Sequence, residues 1–197
     1  VRSLVLATGN PGKVREFRRL LDGSGYRVLT PAEAGVAVDV VEDGATYAAN
    51  AAKKARAVAR AAGTLALADD SGIEVDALGG RPGMYSARYG TPDLDDDGRT
   101  ALLLRELAGT PPARRTARYR AVVALAWPDG RTELFEGTME GQIAEQPRGE
   151  RGFGYDPVFL VADGRTAAEL DDAEKDAISH RGQAVRAAVA WLREHCP

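Results

Sequence analysis

Strand-length apolar runs alternate with helical stripes along the first part of this chain, and that order constrains the fold more than any single motif. Residues 3–7 (SLVLA) read as a buried strand. Residues 11–22 carry Val14, Phe17, Leu20 and Leu21 at helical spacing, and 26–30 (YRVLT) read as a second strand. An alanine-rich helix is predicted over 45–62, ended by Gly63. It is followed by a strand over 65–68 and, after a Ser71-Gly72 turn, by another over 73–78. A helix over 94–108 begins with acidic residues that suit its dipole. Then the pattern changes. Residues 116–127 and 131–138 read as two long strands joined by Pro128-Asp129-Gly130, a hairpin signal. One more strand is predicted over 157–162, and a last helix over 182–195 with Val185, Val189 and Leu192 as its buried stripe. Early alternation followed by a hairpin implies an α/β fold with a mixed sheet.

A chain of 197 residues, 44% hydrophobic and 28% charged, suffices for one globular domain or at most two small lobes. The net charge of −3 offers no basic excess, so no nucleic-acid partner is expected. A local cluster of lysines and backbone N–H groups could still hold an anion. Cys196 is the only cysteine, which rules out an internal disulfide and a cysteine-based metal site and suits a reducing compartment. The opening apolar run is too short for a signal-peptide core, and the longest later one, 121–127, is far short of a membrane span. A cytoplasmic protein without a membrane partner is expected.

Five segments carry chemistry. In TGNPGK (8–13), Asn10 suits an N-cap and Pro11 the first helical position. The free N–H groups of that helix start, with Lys13 and the Thr8 hydroxyl, could cradle a phosphate; the bland alternative is a plain strand–turn–helix corner. The pattern GxxxxGK[ST] is absent, so this is no Walker site. In ADDSG (68–72), two carboxylates end an apolar strand, where α/β folds place their ligands. Burying them unpaired is costly, but a divalent cation would make it tolerable, and one could then polarise a water. Successive strand residues face opposite ways, so Asp69 and Asp70 act together only if the chain bends, which Gly72 would permit. In 40–47, Glu42 and Asp43 are helix-start acids or, for Glu42, a metal ligand; Lys53 or Lys54 downstream could reach a phosphate. In FGYDP (153–157), the glycine-rich backbone allows close approach, Phe153 offers a stacking face and Asp156 a polar contact; alternatively the aromatics enter the core. In 174–182, Lys175, His180 and Arg181 form a donor-rich cluster suited to purine carbonyls or phosphate, beside Ser179 as a helix cap.

Together, TGNPGK, the acidic pair in ADDSGIEVDALGGRPGMYSARYG, FGYDPVF and SHRGQA, in this order over roughly residues 3–192, closely resemble the inosine triphosphate pyrophosphatase family. These enzymes clear non-standard purine nucleoside triphosphates. The resemblance implies a single ITPase-like (Maf/ITPase-like) catalytic domain over 1–197, two-lobed, with a long twisted mixed β-sheet flanked by helices and an active cleft between the lobes. It implies a homodimer that uses Mg²⁺ to hydrolyse ITP, dITP and XTP to the monophosphate and pyrophosphate. Carried over by motif, Thr8, Asn10, Lys13 and Lys54 hold the phosphates and Ser71 touches substrate. Glu42 and Asp70 ligate magnesium, Asp70 is also the proton acceptor, and Asp69 acts beside it. Phe153, Gly154, Tyr155, Asp156, Lys175, His180 and Arg181 form the base pocket. A buried donor facing the 6-oxo group would be left unpaired by adenine, at about 1–3 kcal/mol per group. The family often carries Glu before the Asn of its second helix, whereas here Ala49 precedes Asn50. Two rival readings are a relative acting on pyrimidine or other modified nucleotides, and a nucleotide-binding module without turnover, which the presence of both Asp69 and Asp70 disfavours.

Overall fold

The alternation in the first seventy residues resolves into parallel strands joined by helices. In a computed structural model describing residues 2–196, β1 (Arg2–Leu6) pairs in parallel with both β2 (Tyr26–Leu29) and β3 (Leu65–Val75). Helix α1 (Pro11–Leu20) joins β1 to β2, and α2 (Tyr47–Ala62) precedes β3. After α3 (Asp96–Glu106) come β4 (Thr116–Ala126) and β5 (Thr132–Ile143), a hairpin whose turn is closed by Trp127 N–H donating to the Arg131 carbonyl at 3.0 Å. The short β6 (Phe159–Leu160) runs antiparallel to β5. The chain ends with α4 (Asp172–Ile178) and α5 (His180–His195). Among the described residues the strands form one mixed sheet ordered β2-β1-β3-β4-β5-β6, as expected of the fold class. No helix among them is long and apolar enough to cross a membrane.

The chain divides into two compact units. The first runs to Asp70, takes in Ala121–Gly137 and resumes at Arg181; the second comprises Ser71–Arg120 and Thr138–His180. Strands β3, β4 and β5 therefore contribute to each.

In the first unit the strand period of two sorts side chains by size. Leu4, Leu6, Leu65, Leu67, Val123 and Leu125 pack with Phe17 of α1 and Val185 and Leu192 of α5. Their neighbours Val5, Ala66, Ala68, Val122 and Ala124 pack with Ala51, Ala55 and Ala59 of α2. Small residues on both partners let the alanine-rich helix approach the sheet closely. Caps fix the helix starts: Asn10 accepts from the Lys13 N–H with Pro11 at the first turn, and Thr46 accepts from the Ala49 N–H. Gly63, left-handed at φ +64°, ends α2.

The second unit has its own core, with Ile73, Val75, Leu103, Leu107, Tyr119, Tyr155, Phe159 and Leu170 among its buried side chains. Three sequence expectations are corrected. The strands predicted over 65–68 and 73–78 are one eleven-residue strand, and Ser71-Gly72 is not a turn. Gly72 serves a close approach instead: a Cβ there would lie 2.1 Å from the Gly83 carbonyl oxygen. Strand β5 extends to Ile143 and β6 keeps only two residues. Helix α4 went unpredicted because it is short, although its capping box, Asp171 with Glu174, is legible.

Candidate active site

Because β3 runs straight through Asp69 and Asp70, its two carboxylates point to opposite faces, and each meets a different environment. Asp69 continues the row of Leu65 and Leu67 toward α1 and α5; Asp70 continues the row of Ala66 and Ala68 toward α2.

Asp69 is buried and held by two cations. The Lys13 ammonium lies 3.0 Å from Oδ1, and the Arg181 guanidinium donates to Oδ2 at 3.1 and 3.2 Å. The same guanidinium pairs with Glu16 of α1. Burial alone would push the Asp69 carboxyl up, but Lys13, Arg181 and the more remote Lys54 outweigh it and hold the group well below the usual carboxylate range. For Lys13 the balance is reversed. Burial lowers its pKa, Asp69 only partly offsets this, and the neighbouring charges of Arg181 and Lys54 lower it further. The asymmetry follows from sharing: one carboxylate has two cations, whereas Lys13 divides its anion with Arg181. Asp69 is thus a fixed anion.

Asp70 meets an amide. The Asn50 side chain donates to Oδ2 at 3.0 Å while its own oxygen accepts from the Gly44 N–H at 2.8 Å. This ties α2 and the 40–44 segment to the carboxylate. Burial raises the Asp70 pKa; Asn50 and Lys54 pull it down without restoring it, and Glu42 adds repulsion. A carboxylate so placed binds a proton more readily than an ordinary one. Glu42, near enough to be felt by Asp70, pairs with Lys54 Nζ at 3.0 Å.

Lys13, Lys54 and Arg181 face Glu16, Glu42, Asp69 and Asp70, three cations against four anions. A polyphosphate would be repelled by this set unless a further cation joined it. Magnesium takes one or two protein carboxylates and completes its shell with water and phosphate oxygens. Glu42 and Asp70 supply that number. Among the described residues no group of three or more His, Cys, Asp or Glu side chains is disposed to cage a metal. The donor set thus fits a cation held jointly with an anionic substrate. At the start of α1, Thr8 Oγ1 accepts from the Asn10 N–H at 3.2 Å, so hydroxyl and cap stand together beside Lys13.

The second unit holds Phe153, Asp156, Lys175 and His180. Buried Asp156 accepts from the Phe153 N–H at 2.9 Å, from Lys175 Nζ at 2.6 Å and from the Tyr119 hydroxyl at 3.3 Å. The Lys175 ammonium also lies 5.0 Å from the centre of the half-buried Phe153 ring. His180 stacks on Tyr119 with centroids 4.7 Å apart and planes at 8°. Gly152 is left-handed at φ +76°, and a Cβ on it would strike Asp156, so this loop requires glycine there. Tyr155 turns into the core and donates its hydroxyl to the Ser86 carbonyl at 2.8 Å. Ser71, partly buried, follows Asp70 on β3 and belongs to this unit.

The residues read from the sequence thus fall into two groups: Thr8, Asn10, Lys13, Glu42, Lys54, Asp69 and Asp70 in one unit; Ser71, Phe153, Gly154, Tyr155, Asp156, Lys175 and His180 in the other. Arg181, grouped with the base-pocket residues in the sequence, has its guanidinium on Asp69 and Glu16. Two residues were given no role: Glu16 and Asn50. Both are buried polar groups in amphipathic helices. The signal for Glu16 was its place beside Phe17 and one turn before Leu20, on a stripe otherwise apolar.

The chain is similar to known proteins along almost its whole length. A model described as the Ham1 family matches residues 4–191. The dITP/XTP pyrophosphatase of Symbiobacterium thermophilum is 55% identical over 93% of this chain and 91% of its own length. That of Bacillus subtilis is 48% identical, with 94% of each chain covered. Among solved structures, a HAM1 protein from Coxiella burnetii superposes with a TM-score of 0.88 at 40% identity, covering 98% of this chain and all of the other. With the family's sequence pattern running almost from end to end and its fold reproduced at this similarity, the chain belongs to the Ham1 family.

Proposed function

We propose that this protein is a Mg²⁺-dependent nucleoside triphosphate pyrophosphohydrolase that converts ITP, dITP and XTP to the monophosphate and pyrophosphate. The observation that carries the proposal is the division of labour on β3: Asp69 is compensated by Lys13 and Arg181, whereas Asp70 is buried beside an amide and keeps a raised proton affinity. Asp70 accepts the proton of a water as its oxygen bonds to the α-phosphorus. The bond from that phosphorus to the bridging oxygen breaks, and pyrophosphate leaves. Glu42 and Asp70 would hold the magnesium, which when bound neutralises phosphate charge and polarises the phosphoryl group. Lys13, Lys54, Thr8 and the capped start of α1 bind and orient the phosphate chain. Asp69 takes part as the anion that keeps Lys13 in place.

Base recognition falls to Phe153 and its neighbours. Phe153 provides the stacking face, and the Lys175 ammonium and the His180 region provide donors for the 6-oxo group. An adenine amino group there would leave a buried donor unpaired. That the relatives from Symbiobacterium thermophilum and Bacillus subtilis are dITP/XTP pyrophosphatases supports this substrate class. The enzyme works as a cytoplasmic homodimer on free nucleotides, without nucleic acid or membrane.

The test is the release of pyrophosphate, as distinct from phosphate, from ITP, XTP, GTP, ATP and dTTP with and without Mg²⁺. Rapid release from ITP and XTP alone, abolished by chelation, is expected. Equal rates on dTTP and ITP would overturn purine selectivity, and tight ITP binding without turnover would reduce the protein to a binding module.

A further inference from the structure

The loop that carries Phe153 is held from outside by the first turns of helix α3. Gly154 is left-handed at φ +63°, and the preceding Gly152 is left-handed too, so the peptide units around Phe153 have few steric restraints of their own. Hydrogen bonds supply the restraint: the Asp156 N–H donates to the Phe153 carbonyl at 3.4 Å, and two carboxylates take the amides. On one side, Asp156 accepts the Phe153 N–H at 2.9 Å. On the other, the Asp96 carboxylate in the first turn of α3 accepts the Gly154 N–H at 2.9 Å. One turn on, the buried Thr100 hydroxyl stands 3.5 Å from the Gly154 carbonyl oxygen, within weak donor range. Successive amides at 153 and 154 are thus each gripped by a carboxylate, and the Phe153 ring that stems from between them has the Lys175 ammonium 5.0 Å from its centre. The Asp95 side chain already caps α3 by accepting from the Gly98 N–H, so Asp96 is not needed as the cap.

We propose that Asp96 is a positioning residue for base recognition, fixing the plane of Phe153 through the Gly154 amide. This rests on the reading of Phe153 as the stacking face for the base. Asp96 touches no reacting atom, so its loss weakens base binding without slowing the chemical step.

Steady-state kinetics on the full-length Asp96→Ala protein should show KM for ITP raised about 5-fold, the effect of a modest charge-assisted hydrogen bond, with kcat nearly unchanged. Asp96→Asn, whose side-chain carbonyl can still accept from Gly154, should restore KM to near the parent value. Asp97→Ala, which removes an equal charge from the same turn, should change nothing. In a Phe153→Ala background, Asp96→Ala should have no further effect. Hydrogen exchange at the Gly154 amide should accelerate in Asp96→Ala alone. If Phe153→Ala raises KM but Asp96→Ala does not, or if Asp96→Ala costs as much without the ring as with it, the inference falls and the stacking reading stands. Unchanged Gly154 exchange also overturns it. If Phe153→Ala itself leaves KM for ITP unaltered, the stacking reading fails and takes the inference with it.

Discussion

Asp69 and Asp70 are neighbours on one strand, yet the two faces of β3 treat them oppositely. The α1/α5 face gives Asp69 two cations and an almost complete enclosure, so its charge is permanent. The α2 face gives Asp70 an amide, a nearby carboxylate and burial, so its charge is held less firmly. The difference teaches how an acidic pair is read. A buried carboxylate whose charge is fully compensated is a structural anion; one left under-compensated is available for proton transfer and for a cation.

The strongest way to break this comparison is Asp70→Asn. Turnover of ITP should fall about 10³-fold, or about 4 kcal/mol of barrier, while nucleotide binding survives. The same substitution should leave the protein as stable as before or more so at neutral pH. A group whose folded pKa is raised weighs against the folded state once pH rises past its unfolded value, and the amide removes that load. Turnover within a few-fold of the parent would take Asp70 out of the mechanism.

Next in size is Arg181→Leu, which takes the guanidinium away from the buried carboxylates of Asp69 and Glu16. Denaturant unfolding should show a loss of about 3 kcal/mol. Unchanged stability with a collapsed ITP/ATP preference would instead assign Arg181 to the base. Asn50→Ala removes the donor to Asp70 and the acceptor for Gly44, and should lower kcat/KM by about 10-fold, with equilibrium stability reporting the separate cost of the orphaned Gly44 amide.

The smallest effect concerns acid. The folded pKa of Asp69 is depressed, so its contribution to stability is complete above the unfolded value of about 3.9 and drains away as pH falls below it. Denaturation followed from pH 6 down to pH 2 should lose stability more steeply in the parent than in Asp69→Asn. Parallel curves would mean that Asp69 is not the compensated anion described here.

Much of this arrangement was legible beforehand. Asn10, Pro11 and Gly63 marked helix ends because capping and left-handed glycine are local effects. The long hairpin and the alternation of strands and helices followed from periodicity alone. Thr8, Asn10 and Lys13 were legible as a cluster because they lie within one short segment. The errors sit where distant segments decide. Ser71-Gly72 has turn composition, yet it continues a strand because the Gly83 carbonyl packs against Gly72, a contact eleven residues away in sequence. The Arg181 guanidinium meets Asp69 and Glu16 across more than a hundred residues.

The sequence by itself determined the fold class, the helix ends and the inventory of charged and aromatic groups, since hydrophobic period and backbone stereochemistry act over a few residues. Only the tertiary structure decided which acid of the pair is neutralised and which residue restrains the Phe153 loop. Compensation depends on which cations the chain folds back to place within 3–4 Å, and local pattern carries no information about that distance.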